Sequence, residues 1–163
     1  NFLTIKPMIY LLNVDEAKVN EPVTIDKLEG EVVIPICAQI EAELADLSAE
    51  DAKEYMEELG ISQAGLDQII TKSYEMLNLI SFLTTGPKET RAWTITKGMT
   101  APQAAGKIHG DFERGFISAE VINWQDLLDA GGDVAAKEKG LVRLEGKQYV
   151  VQDGDVMVFR FSV

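Results

Sequence analysis

Two uninterrupted apolar runs limit what this chain can fold into: Lys6-Pro7-Met8-Ile9-Tyr10-Leu11-Leu12-Asn13 and Glu31-Val32-Val33-Ile34-Pro35-Ile36-Cys37-Ala38-Gln39. Each is continuous rather than alternating and stops at a polar residue, which is the pattern of strands buried on two faces. About eighteen residues separate them, with room for a short helix near Thr24 to Leu28, and that length suffices for a crossover between parallel strands. The expected class is α/β. Ligands in such sheets sit beyond the carboxyl ends of the strands, so Asn13 to Glu16 and Cys37 to Gln39 are expected to be neighbours at a binding rim.

Helical sequence follows, first over Ile40 to Leu47, then from Ser48, which can cap a new helix carrying Glu50 and Asp51 in its first turn. Gly60 is placed to end that helix. A third helix is expected from Gln63 to Asn78, with Leu66, Ile69, Ile70, Ser73, Leu77 and Ile80 on one apolar face. From Ser81 the texture changes to short β-type runs separated by Gly and Pro, so a domain boundary is set there, dividing residues 1–80 from 81–163. Strands are expected at Phe82–Thr85, Arg91–Thr96, Ala119–Ile122, Gln148–Val151 and Val156–Phe161, with one main helix from Thr100 to His109 that tolerates Pro102 in its first turn. Strands flanking one helix in so few residues form a small α+β domain, with Asp153-Gly154-Asp155 turning into the last strand.

Charge separates the two halves. The chain carries a net −12; residues 1–79 hold 16 acidic against 5 basic side chains, and residues 80–163 hold 11 against 10. A strongly acidic segment lacks the footprint of a nucleic-acid binder, so RNA binding is open only for the second half. With 46% hydrophobic residues a real core is available, and no apolar stretch approaches the length of a membrane span. The start, Asn1-Phe2-Leu3-Thr4-Ile5-Lys6, has no feature of a secretory signal and reads like a chain entered partway through. The lone Cys37 excludes an internal disulfide and a thiolate metal cage, leaving a reducing, cytoplasmic setting as the default.

Asn13-Val14-Asp15-Glu16, directly after a strand, resembles the Asn-Lys-x-Asp base-recognition motif of P-loop GTPases, with Val14 in place of Lys and Glu16 in place of Asp. In that motif a carboxylate accepts from the donors on the N1/N2 edge of guanine. Adenine has an acceptor at N1 and no amino group at C2, whereas an Asn amide can pair with its N6 and N7. The change at position 16 therefore weakens guanine selection and opens the pocket to adenine. Cys37-Ala38-Gln39 stands where the superfamily has a Ser-Ala-Lys segment that supports the base. The competing readings are an ordinary strand-end turn for Asn13 to Glu16 and a small core hydrophobe for Cys37, whose sole potential partner, His109, is seventy-two residues away.

In the second half, Pro102 to Phe112 resembles the signature of the TGS domain, a β-grasp module, through Ala105, Ile108, His109 and Asp111. Together with Lys6–Glu16, Glu31–Leu44, Tyr74–Leu79, Glu89–Ile95 and Ala101–Ile117, the chain resembles the YchF, or Obg-like ATPase, family of translation-associated P-loop proteins nearly end to end. The resemblance implies an α/β C-terminal portion of a P-loop nucleotide-binding domain followed by a TGS domain. It further implies a parent that binds ATP with Mg²⁺, hydrolyses it and associates with ribosomes. Lys107, His109 and Arg114 are the candidate RNA or ribosome contacts; His109 can instead satisfy carbonyls at its helix C-terminus. Lys88, Arg91, Lys97, Lys107 and Arg114 form either a basic face or, interspersed with Glu89, Asp111 and Glu113, an ordinary solvated surface. Trp93, Trp124, Phe116 and Phe159 are expected in the core, and Glu54, Glu57 and Glu58 on a solvated helix face.

What the chain lacks matters equally. No Gly-x-x-x-x-Gly-Lys-Ser/Thr loop is present to wrap phosphates, and Thr71-Lys72-Ser73 falls inside a helix pattern. No Asp-x-x-Gly metal loop precedes the base motif, so no catalytic or metal-binding residue is assigned. By itself the chain is expected to turn over no ATP. The alternatives are a non-catalytic RNA- or ribosome-binding module and a nucleotide sensor.

Overall fold

The first apolar run becomes strand β1 (Ile9–Asn13) and the second becomes β2 (Val32–Ile36). They pair in parallel, Ile9 opposite Val32 through Asn13 opposite Ile36, so both chains leave the sheet at the same edge. The computed structural model describes residues 6–21, 28, 30–86 and 89–162. Apart from Leu28, the helix expected near Thr24 to Leu28 lies outside them, as does Lys88. The chain divides into two compact units, residues 1–76 and 77–163.

In the first unit the strands are less buried than their composition predicts. Ile34 is the one residue of β1 and β2 that is fully buried, and Leu11 is half exposed. A two-stranded sheet has few neighbours to cover both of its faces. Helix α1 (Ala38–Asp46) starts directly after β2, and α2 (Ala49–Glu58) opens on Ser48, whose side chain accepts the Asp51 N–H at 3.2 Å. Gly60 follows the end of α2 with φ +67°, as expected of a helix terminator. Helix α3 (Gly65–Met76) is anchored by Glu41 of α1, whose carboxylate accepts the N–H groups of Gly65 at 2.7 Å and Leu66 at 3.2 Å. A carboxylate at a helix N-terminus satisfies orphan donors and meets the positive end of the dipole.

The apolar face expected from Gln63 to Asn78 needs correction. Leu66, Ile70 and Leu77 remain exposed, and the inward side of α3 is formed around Gly65, Ile69 and Met76. Asn78 takes φ +52° and breaks the helix, so the apparent periodicity runs across two elements, and Ile80 belongs to the next strand.

The second unit is a five-stranded sheet of order β4-β3-β7-β5-β6, comprising β3 (Leu79–Thr85), β4 (Thr90–Thr96), β5 (Phe116–Asn123), β6 (Arg143–Glu145) and β7 (Asp155–Phe161). Strands β3 and β7 pair in parallel and the remaining pairs are antiparallel. Helix α4 (Ala101–Ile108) packs Ala101, Ala104 and Ala105 against Ile80, Phe82, Ile95, Phe116, Ala119, Val121 and Met157. Alanines at that interface let the helix approach the sheet closely. Thr100 and Gln103 form a capping box at its start. A second cluster joins Ala130 of α6 (Trp124–Ala130) and Ala136 of α7 (Asp133–Glu138) to Ile122 of β5 and Val156 of β7.

Three expectations for this unit are corrected. Gln148–Val151 is not a strand: Tyr149 O accepts from Ala101 N, Val151 N donates to Met99 O, and Val150 makes only an isolated bridge with Thr100. Trp124 is exposed at the start of α6 rather than in the core, where Asn123 caps the helix through Gln125 N at 2.9 Å. Helix α5 (Gly110–Arg114), α6, α7 and β6 were not anticipated, being short elements without a full period of apolar residues.

Candidate functional site

The parallel register places the ends of β1 and β2 side by side, and two hydrogen bonds close the gap between the segments that follow. Val14 N donates to Ile36 O at 2.8 Å, and Ala38 N donates to the side-chain Oδ1 of Asn13 at 3.0 Å. The neighbouring loops expected from the sequence are thus joined through Asn13. The acceptor oxygen of its amide faces Ala38, which leaves the Nδ2 donors directed elsewhere. Val14 is half-buried, while Asn13, Glu16 and Ala38 are exposed.

Asp15 turns the chain in an extended conformation, and its carbonyl accepts from Lys18 N at 2.9 Å. This starts a 3-10 turn over Glu16–Lys18 and holds Glu16 at its head. Cys37 is buried, caps α1 in an extended conformation, and its carbonyl accepts from Glu41 N at 3.0 Å. Packing is its observed role. Chemically, the rim offers a neutral amide, backbone groups and two exposed carboxylates, Asp15 and Glu16. That set can address the hydrogen-bonding edge of a heterocycle, and it contains no cation cluster for phosphates. Among the described residues no group of three or more His, Cys, Asp or Glu is arranged to hold a metal ion.

In the second unit, His109, Lys107 and Arg114 lie around the junction of α4 and α5. His109 does not serve the carbonyl end of α4 through its side chain; its backbone N–H donates to Ala105 O, while Nδ1 accepts from Asp111 N at 3.2 Å and caps the start of α5. Sequence reasoning missed this because α5 itself was not foreseen. Arg114 is paired with Asp111, and this guanidinium holds the Asp111 carboxyl below its ordinary value. His109 also meets Phe112 edge-on, and Phe112 stacks on Phe161 with centroids 3.9 Å apart. Lys107 is exposed on the last turn of α4. Arg91 lies over the Trp93 ring at 4.2 Å, and Trp93 Nε1 donates to Thr84 at 2.9 Å, so this pair is locally engaged.

Two further polar groups escaped the sequence reading. Asp155 is buried and accepts from Tyr149 Oη at 2.7 Å and Gln152 N at 2.9 Å. Burial, together with this hydrogen bond to a carboxylate, pushes the Tyr149 hydroxyl up. Glu120 is bridged by Lys137 at 2.8 Å and by Arg160, which together hold its carboxyl below the ordinary value. Asp155 takes its partners from the turn just before it, whereas Glu120 takes Arg160 from 40 positions along the chain.

Fold and site define a mixed α/β chain in two units, the first ending its parallel strands in a joined polar rim. A family model, YchF-GTPase_C, described as a protein of unknown function (DUF933), matches residues 79–162. The chain is 51% identical to a ribosome-binding ATPase YchF of Bacillus subtilis over its whole length, covering 47% of that protein. It is 45% identical to an Obg-like ATPase 1 of Gallus gallus, where 99% of the chain covers 43% of the relative. The solved structure of the Schizosaccharomyces pombe YchF GTPase superposes with a TM-score of 0.80 at 36% identity, over 97% of this chain and 44% of that one. The chain belongs to the YchF family. It spans about half the length of the curated relatives it matches.

Proposed function

We propose that this chain is the C-terminal part of a longer ribosome-associated protein that binds and hydrolyses ATP, and that Asn13, Val14, Glu16, Cys37 and Ala38 form the base-binding half of its nucleotide site. The observation that carries the reading is the hydrogen bond from Ala38 N to Asn13 Oδ1 at the ends of two parallel strands. With Oδ1 anchored, Nδ2 is presented to a purine N7, and the remaining lone pair of Oδ1 can accept from the adenine 6-amino group. The N7 contact serves either purine. Discrimination therefore falls on the 6-position and on Glu16, whose longer side chain does not reproduce the Asp that meets guanine N1 and N2.

Phosphates and Mg²⁺ would be held by elements outside this sequence, since the rim described above suits a base and not an anion or a divalent cation. The second unit, with α4 laid across a five-stranded sheet, supports the reading of a TGS domain of β-grasp type that contacts ribosomal RNA. Lys107, the free edge of His109 and Arg114 would lie on that surface. A cytoplasmic site of action goes with a ribosomal partner, and among the described residues no helix is long and apolar enough to cross a membrane. The test is a competition titration of ATP against GTP in the longer protein, with Glu16→Asp and Val14→Lys introduced together. A gain in guanine affinity supports the base-reading role, and an unchanged preference contradicts it.

A further inference from the structure

The second unit carries a surface groove of about 340 Å³ lined by Glu120, Lys137, Val142, Arg143, Leu144 and Arg160. Its charges are layered. The side chains of Lys137, Arg143 and Arg160 are exposed by 59%, 56% and 58%, whereas the carboxylates they pair with, Glu120, Glu145 and Asp155, are exposed by 15%, 27% and 3%. Cations thus stand outward over acids that fix them from behind. Glu120 holds two of them at once, Lys137 from α7 and Arg160 from β7, and the neighbours of Glu120 across the sheet are the exposed apolar residues Leu144 and Val158.

We infer that this groove binds the phosphate backbone of RNA, with Lys137, Arg143 and Arg160 as its phosphate contacts. The outward layer selects the ligand. Three carboxylates balance the three cations, but they lie behind them, so the face a ligand meets is cationic. The guanidinium N–H groups not taken by Glu120, Glu145, Asp155 and Tyr149 are left to donate to phosphate oxygens. Fixing the cations in advance lowers the entropy lost on binding. Leu144 and Val158 supply an apolar surface beside them for sugar and base. The inference rests on the proposed RNA-binding role of this unit and assigns it a location away from the His109 corner.

The experiment measures fluorescence anisotropy of a labelled oligouridine and a labelled RNA duplex against the 163-residue chain at several salt concentrations, with circular dichroism to confirm folding. Lys137→Gln and Arg143→Gln are expected each to weaken binding of both probes and to flatten the salt slope by about one. Glu120→Gln frees two cations from their internal partner and removes a negative charge, so it is expected to tighten RNA binding; a purely structural salt bridge would give lower stability and no gain. Lys72→Gln, on the first unit, serves as the control. If the chain binds RNA and all three groove variants stay within about twofold of it with the salt slope unchanged, where about one unit per lost contact is expected, the groove assignment falls while the RNA-binding role stands. If the unmodified chain binds neither probe, the RNA-binding role falls as well.

Discussion

Asn13 Oδ1 accepts the backbone N–H of Ala38 at 3.0 Å, joining two positions 25 residues apart at the ends of adjacent parallel strands. The bond satisfies one of the orphan donors at the start of α1 and fixes the orientation of the Asn13 amide. A neutral hydrogen bond of this kind contributes about 0.5–1.5 kcal/mol. Asn13→Ala is therefore expected to speed hydrogen exchange at the Ala38 amide by about two- to tenfold. Unchanged protection would show that the loops are held together without it.

Phe82 is fully buried between β4 and β7 and meets Phe159 edge-on at 5.9 Å. Phe82→Ala is expected to cost about 3–5 kcal/mol in chemical denaturation followed by a probe in the second unit. A milder case is Gly115, where an added Cβ would collide with the backbone carbonyl of Ser162. Gly115→Ala is expected to cost about 1–3 kcal/mol through overpacking.

The Glu120 carboxyl lies below its ordinary value of 4.5 because Lys137, first, and Arg160 donate hydrogen bonds to it. In acid the unfolded chain then binds more protons at this site than the folded one, so stability rises with pH across that window. The stabilisation is complete above the ordinary value and is lost as pH falls through the lowered one. Glu120→Gln is expected to flatten the acid limb of a stability profile measured by urea denaturation. An identical acid limb would mean that the two cations contribute nothing through this group.

Tyr55 donates its hydroxyl proton to Glu43, and that bond raises the Tyr55 hydroxyl from 10.0 to about 12. The contact is present while Tyr55 is protonated and is lost as pH rises through the folded value, the reverse of the Glu120 case. Ultraviolet titration of the chain is expected to show a tyrosine ionising near 12 that disappears in Tyr55→Phe. If no ionisation is removed there, the link between α1 and α2 is absent in solution.

The architecture of the first unit was largely readable because strong signals repeat in it: two continuous apolar runs, Ser48 as a cap and Gly60 as a stop. The joined rim was readable for the same reason, since parallel strands bring their ends together whatever the loops contain. Other features left no local trace. Glu41 looks like any exposed helical acid until α3 arrives 24 positions later, and His109 caps a five-residue helix too short to show a period. The pairing of Glu120 with Arg160 depends on sheet register, and that with Lys137 on where α7 packs, neither of which residue types alone encode. The exposed side of α3 was misread because a helix and a strand abut at Asn78 and share an apolar rhythm.

The central claim is that Asn13 and Glu16 choose the base of a nucleotide whose phosphates are held elsewhere in a longer protein. The most direct measurement is competition between ATP and GTP for that protein, before and after Val14→Lys with Glu16→Asp. The account predicts a preference for ATP that shifts toward GTP in the double variant, while Asn13→Ala weakens both nucleotides. An ATP/GTP ratio that does not move, with both nucleotides still bound, would contradict it.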